Sequence, residues 1–170
     1  SLGKSVTQDG ASLNVNSGGL IWGSAGTNGQ HSFHQLLHQG THMVPADFIS
    51  CTSSPTDKTE QHQHLLANCF AQSQALMQGK SLQAVQDELS AQGYSEADIA
   101  ALAPHKVISG NKPSSTIMMK ALTPSALGAL IAAYEHKVYV QSVILGINAF
   151  DQWGVELGKV LSKELFQAIN

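Results

Sequence analysis

Apolar residues fall in two kinds of pattern along the chain, short continuous runs and spacings of three and four. The short runs predict three strands, at 20–23, 43–51 and 115–122. The helical spacings lie between and after them, at 30–39, 59–78, 81–92, 125–145 and from residue 151 onward. Short strands separated by helices are typical of an α/β fold with a mostly parallel sheet. We therefore predict a helix-rich three-layer αβα sandwich built on a short, mostly parallel sheet.

Several helix boundaries carry local signals. Ser95 and Asp98 form a capping box that predicts a short helix. Thr123 is a cap, and Pro124 occupies the first helical position of the long apolar segment that follows. Gly79 is expected to end the helix over 59–78, and Pro45 keeps the start of the second strand at an edge or turn.

The helix over 125–145 is apolar nearly all round, which predicts that it is buried in a larger body. Its polar residues, Glu135, His136 and Lys137, are then expected to form a buried cluster satisfied by structural or dimer-interface pairing. The pattern thus suggests that further protein surrounds this helix.

Amino-acid composition excludes several classes of protein. The 170 residues are 42% hydrophobic and 12% charged, with a net charge of −3. All nine basic residues are lysines, and this composition excludes a nucleic-acid module built on a basic patch. Without arginine, the chain also lacks the side chain that binds phosphate or carboxylate groups through two parallel hydrogen bonds. Cys51 and Cys69 do not make a disulfide scaffold, so we expect buried, inert thiols in a reducing compartment. The apolar stretch 121–134 is too short to cross a membrane, and no signal peptide begins the chain. We expect a soluble, cytoplasmic protein.

Histidines and glycines offer two further candidate sites. His31, His34 and His38 share a helical face and could supply two or three zinc ligands, although no cysteine or carboxylate cluster lies near them in sequence. The glycine loop at 23–29 has the spacing of neither common nucleotide-binding motif. Packing or surface roles for the histidines, and a tight strand-to-helix turn for the loop, are the favoured interpretations.

Two longer stretches carry a resemblance to a known family. Residues 22–33 read WGSAGTNGQHSF and residues 148–159 read NAFDQWGVELGK. Both resemble the glucose-6-phosphate isomerase family, and shorter stretches between them keep the match collinear over essentially the whole chain. The family implies a longer homodimeric enzyme with two sugar-isomerase αβα domains that works without metal or cofactor. Residues 1–170 then correspond to a C-terminal sugar-isomerase domain, truncated at both ends, whose partner is the missing N-terminal part.

The resemblance also implies site residues. The family's catalytic glutamate is expected one position before Ser1, outside this chain. His62 matches the ring-opening histidine, although a one-residue slip of the loop would align Gln61 instead. Lys159 matches the lysine at the ring oxygen, and Gln152 matches a glutamine that contacts the substrate phosphate. Without the resemblance, Lys159 is a solvated lysine three residues from Glu156, and His62 is an ordinary exposed histidine.

The implied activity is the interconversion of glucose 6-phosphate and fructose 6-phosphate through an enediolate, in glycolysis and gluconeogenesis. This chain has Ser24 and Ala25 where many members of the family have Glu-Pro. That glutamate is not the catalytic one, so the implied activity is unchanged. The 170-residue chain alone is expected to be inactive, since the glutamate and most phosphate ligands lie upstream. The alternative is a stand-alone, non-catalytic module that binds a sugar phosphate.

Overall fold

The computed structural model describes residues 2–169. Ser1, beside the expected position of the catalytic glutamate, and Asn170, the last residue of the predicted final helix, lie outside the described residues. The chain divides into two compact units. The central unit contains residues 23–126, and the terminal unit contains residues 2–22 and 127–169.

Seven α-helices, two strands and one 3₁₀ turn follow one another along the described residues. In chain order they are α1 (Gly26–Ser32), α2 (His34–Gln39), β1 (Ala46–Cys51), α3 (Thr59–Gln78), α4 (Leu82–Ala91), α5 (Glu96–Lys106), β2 (Ser114–Met119), α6 (Pro124–Leu145), the 3₁₀ turn (Trp153–Val155) and α7 (Glu156–Ile169).

The sheet lies in the central unit. β1 and β2 pair in parallel, in a register that runs from Ala46 opposite Ser114 to Cys51 opposite Met119. Helix α3 packs against both strands, because a parallel pair needs a crossover and the crossover helix covers one face. The predicted helix-rich α/β fold with a small parallel sheet is confirmed.

The predicted strand at 20–23 is wrong. Leu20 and Ile21 are 95% and 96% exposed, and in residues 2–169 the sheet has two strands, β1 and β2. A short apolar run becomes a strand only where a neighbouring strand supplies ladder hydrogen bonds, and no other described strand pairs with this segment.

Three predicted helix starts are confirmed by their side-chain caps. Ser81 Oγ accepts a hydrogen bond from the backbone N–H of Ala84 at 3.2 Å, at the start of α4. Ser95 Oγ accepts one from the Asp98 N–H at 3.2 Å, at the start of α5. The third cap is at α6, where Thr123 Oγ1 accepts from the Ala126 N–H at 3.1 Å.

One helix prediction needs correction, and a second is left untested. The helix predicted over 30–39 breaks at Phe33, whose backbone (φ −139°, ψ −2°) leaves the helical region and separates α1 from α2. Helix α6 is not buried within the described residues, where Ser142 is its one buried side chain. Glu135, His136 and Lys137 are exposed in this chain, so their predicted burial against further protein stays a prediction. An apolar pattern shows that a helix suits a buried position, but the covering protein must come from elsewhere.

The central unit has a small core between α4 and α5. Val85, Leu89 and Ala103 are buried there, at 0%, 1% and 0% exposure, and Ile99 packs against them. Cys51 and Cys69 are free and only half-buried, rather than fully buried as predicted. Burial nevertheless raises the pKa of the Cys69 thiol, because desolvation disfavours the thiolate. None of the described helices combines the length and apolar character needed to cross a membrane.

Candidate active site

The glycine loop leads into α1 through a close packing contact. Gly29 lies within α1 and is buried. A Cβ atom there would come within 3.0 Å of Phe33 Cζ and 3.3 Å of His34 Nε2. The loop glycines Gly23 and Gly26 have open space around them. Gly29 therefore serves close packing inside α1. The predicted strand-to-helix turn is wrong, because residues 20–23 form no strand and residues 26–29 already belong to α1.

The three histidines of this region do not share one face of a single helix. The break at Phe33 separates His31, which is exposed on α1, from His34 and His38 on α2. The Oε1 atom of Gln72 on α3 lies 3.2 Å from His34 Nδ1 and 2.8 Å from His38 Nε2. A carbonyl oxygen only accepts, so both of these ring nitrogens carry the proton. The pair is thus a partly buried contact between α2 and α3.

Metal-ligating side chains do not converge in the part of the chain that the structure describes. Among residues 2–169, no group of three or more histidine, cysteine, aspartate or glutamate side chains is placed to hold a metal ion. His34 and His38 instead use one nitrogen each on the Gln72 amide. The zinc interpretation of these histidines therefore finds no third ligand here.

His62 lies in the first turn of α3, at the carboxyl end of β1. Its Nε2 donates a hydrogen bond to the carbonyl oxygen of Cys51, the last residue of β1, at 2.9 Å. That bond fixes the ring's tautomer and leaves Nδ1 for chemistry. Ligands of open α/β sheets bind beyond the carboxyl ends of the strands, which is where this ring lies. Gln61, its alternative in sequence, is more exposed.

Gln152 and Lys159 belong to the terminal unit and frame the start of its last helix. Gln152 is exposed, and its carbonyl accepts a hydrogen bond from the Val155 N–H at 3.0 Å, closing the 3₁₀ turn. Lys159 lies one turn into α7 with a side chain that is 68% exposed. Its Nζ is 3.8 Å from Glu156 Oε1, a surface ion pair of little energetic weight. Both side chains are accessible to a polar ligand. His62 belongs to the other unit.

The sequence patterns missed one ion pair beside Gln152. Lys4 Nζ lies 2.9 Å from Asp151 Oδ1 and donates to the Asp151 carbonyl oxygen, also at 2.9 Å. The two residues are 147 positions apart in the sequence, so no local spacing could have paired them. A signal was nevertheless present, since the Asp151 position falls inside the stretch that carries the family resemblance.

Comparisons with known proteins agree with the resemblance. The family model described as phosphoglucose isomerase matches residues 1–170. The chain is 58% identical over 167 residues to a glucose-6-phosphate isomerase of Pseudomonas putida (strain GB-1), and 57% identical over 167 residues to one of Pseudomonas aeruginosa (strain LESB58). Each alignment covers 98% of this chain and 30% of the relative.

A solved structure gives the same relationship in three dimensions. The chain superposes on the crystal structure of a glucose-6-phosphate isomerase from Chlamydia trachomatis with a TM-score of 0.79 and 37% sequence identity. The match covers 99% of this chain and 30% of that one. The chain thus spans about 30% of the length of the relatives it matches. With a family model that covers every residue, the chain belongs to the phosphoglucose isomerase family.

Proposed function

We propose that this chain is the C-terminal part of an enzyme that interconverts glucose 6-phosphate and fructose 6-phosphate in glycolysis and gluconeogenesis. The observation that carries the proposal is the family match over all of residues 1–170. The side chains of Gln152 and Lys159 are exposed and accessible to a phosphorylated sugar. Both lie in residues 148–159, a stretch that resembles the family.

Each candidate residue has chemistry that suits this reaction. The neutral amide of Gln152 donates hydrogen bonds to the substrate phosphate. The Lys159 ammonium stabilises negative charge at, or gives a proton to, the ring oxygen as the sugar ring opens. Through Nδ1, His62 exchanges a proton with the ring, while its Nε2 stays on the Cys51 carbonyl. The proton shuttle between C1 and C2 belongs to a glutamate one position before Ser1.

The proposal includes the remainder of the same polypeptide. Five apolar side chains of α6 are more than half exposed, namely Ile131, Tyr139, Val140, Val143 and Ile144. Every described residue of α7 is exposed. We assign these faces to contacts with the upstream part of the enzyme and with a second subunit of a homodimer. The proposal also includes a cytoplasmic location and catalysis without a metal or an organic cofactor.

The activity test compares the 170-residue chain with the full-length polypeptide in a coupled assay of fructose 6-phosphate. We expect turnover only in the full-length enzyme. Lys159→Ala in that enzyme should lower kcat by about 10²-fold or more, the contribution of a positioned proton donor. Lys163→Ala, one turn further along the same exposed helix, is the matched control. Equal activity of the two variants would remove Lys159 from the site.

The same assay separates the isomerase from a binding module. Calorimetry with fructose 6-phosphate measures whether the 170-residue chain binds this sugar phosphate on its own. Tight binding by the short chain, with no turnover by the full-length polypeptide, would replace the proposal with the non-catalytic alternative.

His62 needs a test of its own, because its bond to Cys51 also gives it a structural role. We expect His62→Ala to lower both kcat and the stability of the fold, because the variant loses the Cys51 contact as well as the proton-transfer group. His62→Gln should keep the Cys51 contact and still lose activity. His31→Ala is the comparison, since His31 is an exposed histidine on α1. Loss confined to the His31 variant would move ring opening to the helix after the glycine loop and leave His62 as an anchor of β1.

A further inference from the structure

The start of the described chain docks on the loop that precedes Gln152. Val6 and Ser12 form an antiparallel bridge that folds this segment back on itself. The Gln8 N–H then donates to the carbonyl oxygen of Gly146 at 2.8 Å, beside the fully buried Ile147. Residues far apart in sequence are thus joined within the terminal unit.

Lys4 makes the contact nearest to the candidate site. Its ammonium lies 2.9 Å from both the backbone carbonyl oxygen and the Oδ1 atom of Asp151. The two side chains are only 16% and 26% exposed. Asp151 Oδ1 is itself buried, and its contact with the ammonium is an ion pair rather than a directed hydrogen bond. Ser17 also brackets the Lys4 backbone, where its Oγ accepts from the Lys4 N–H at 3.0 Å and donates to the Lys4 carbonyl.

This geometry fixes the peptide unit that begins Gln152. The carbonyl held by Lys4 belongs to the bond between Asp151 and Gln152, and the Gln152 carbonyl is held in turn by the Val155 N–H. Two hydrogen bonds, one on each side of the Gln152 Cα, therefore set its backbone direction. The side chain itself stays exposed.

We propose that Lys4 is a positioning residue, which orients Gln152 for the substrate phosphate through its double contact with Asp151. The inference rests on the proposed function, because it takes the phosphate contact of Gln152 from there. A mispositioned amide weakens hydrogen bonds to a charged group, which are stronger than those between neutral groups. Phosphate binding should then suffer while the proton transfer itself is largely spared.

The test uses four variants of the full-length enzyme and fructose 6-phosphate as the probe. Lys4→Met should raise KM by about 10-fold or more with a smaller change in kcat, as expected when binding common to ground and transition states is lost. Lys4→Arg keeps the charge and should remain within about 3-fold of the parent. Asp151→Asn keeps the backbone acceptor and should be milder than Lys4→Met. Lys120→Met, at an exposed lysine of the central unit, is the control.

Hydrogen exchange of the loop at 146–153, in the same full-length protein, gives a readout that needs no activity. Lys4→Met should accelerate exchange there, whereas Lys4→Arg and Lys120→Met should not. A lower kcat at unchanged KM would indicate lost folded enzyme and would overturn the inference, as would unchanged exchange. If the parent enzyme turns over no fructose 6-phosphate, the proposed function fails, while the exchange data still report on the Lys4 contact.

Discussion

Leu89→Ala is the sharpest test of the core between α4 and α5. Leu89 is 1% exposed and packs with Val85 and Ala103, both fully buried. The substitution removes three carbon atoms, worth about 2.4 kcal/mol at about 0.8 kcal/mol for each buried methylene. The cavity left behind adds to this figure. We therefore expect the helix pair to lose about 3 kcal/mol of stability.

Hydrogen exchange of the amides in α4 and α5 measures this loss locally, which matters in a chain of two units whose unfolding need not be two-state. Leu82→Ala is the matched control, because Leu82 begins the same helix and is 44% exposed. Its expected cost is about 1 kcal/mol, in proportion to the smaller area that it buries. Equal costs for the two variants would refute the assignment of Leu89 to the core.

Three further outcomes follow from local features. Ser95→Ala removes the cap of α5 and should cost about 1 kcal/mol in chemical denaturation. Gly79→Ala should cost about 1–2 kcal/mol or more by the same measure, since Gly79 has φ +65° and a Cβ there would strike the Ile108 carbonyl. Cys69 should react with iodoacetamide more slowly than in denaturant at pH 8, and the rate should rise only at higher pH, because its raised pKa leaves less thiolate. A rate equal to that of the denatured chain would contradict the burial.

Local chemistry was predictable from sequence, and long-range pairing was not. The caps at Ser95 and Thr123 depend on residues three positions apart, so the sequence alone predicted them. Ser81 makes the same kind of bond, although only the start of its helix was predicted. The break at Phe33 escaped the helical pattern, because the residues on both sides keep their helical spacing.

In the candidate site, too, the local features were predictable from sequence and the long-range contact was not. Gln152 and Lys159 lie in residues 148–159, one of the two stretches that resemble the family. The resemblance implies roles for both residues that hydrophobic periodicity could not predict. Lys4 was missed because its partner lies 147 positions away. The apolar pattern of α6 predicted that further protein covers this helix, but an apolar pattern does not say which surface does so.

The segment that contains α4 and α5 begins and ends at one point within the central unit. Lys80 and Ile108 exchange two backbone hydrogen bonds, of 2.7 and 3.1 Å, across its two ends. Glu88 contacts both Lys80 and Lys106 from within the segment, the latter at 3.7 Å. Because its two ends meet, a change in length at the exposed turn between α4 and α5 need not alter the path of α3 into β2. The segment's contacts are also local, which favours rapid folding. The exposed turn between α4 and α5 is therefore a natural place for the chain to tolerate insertions, whereas the two helices hold the core and should not.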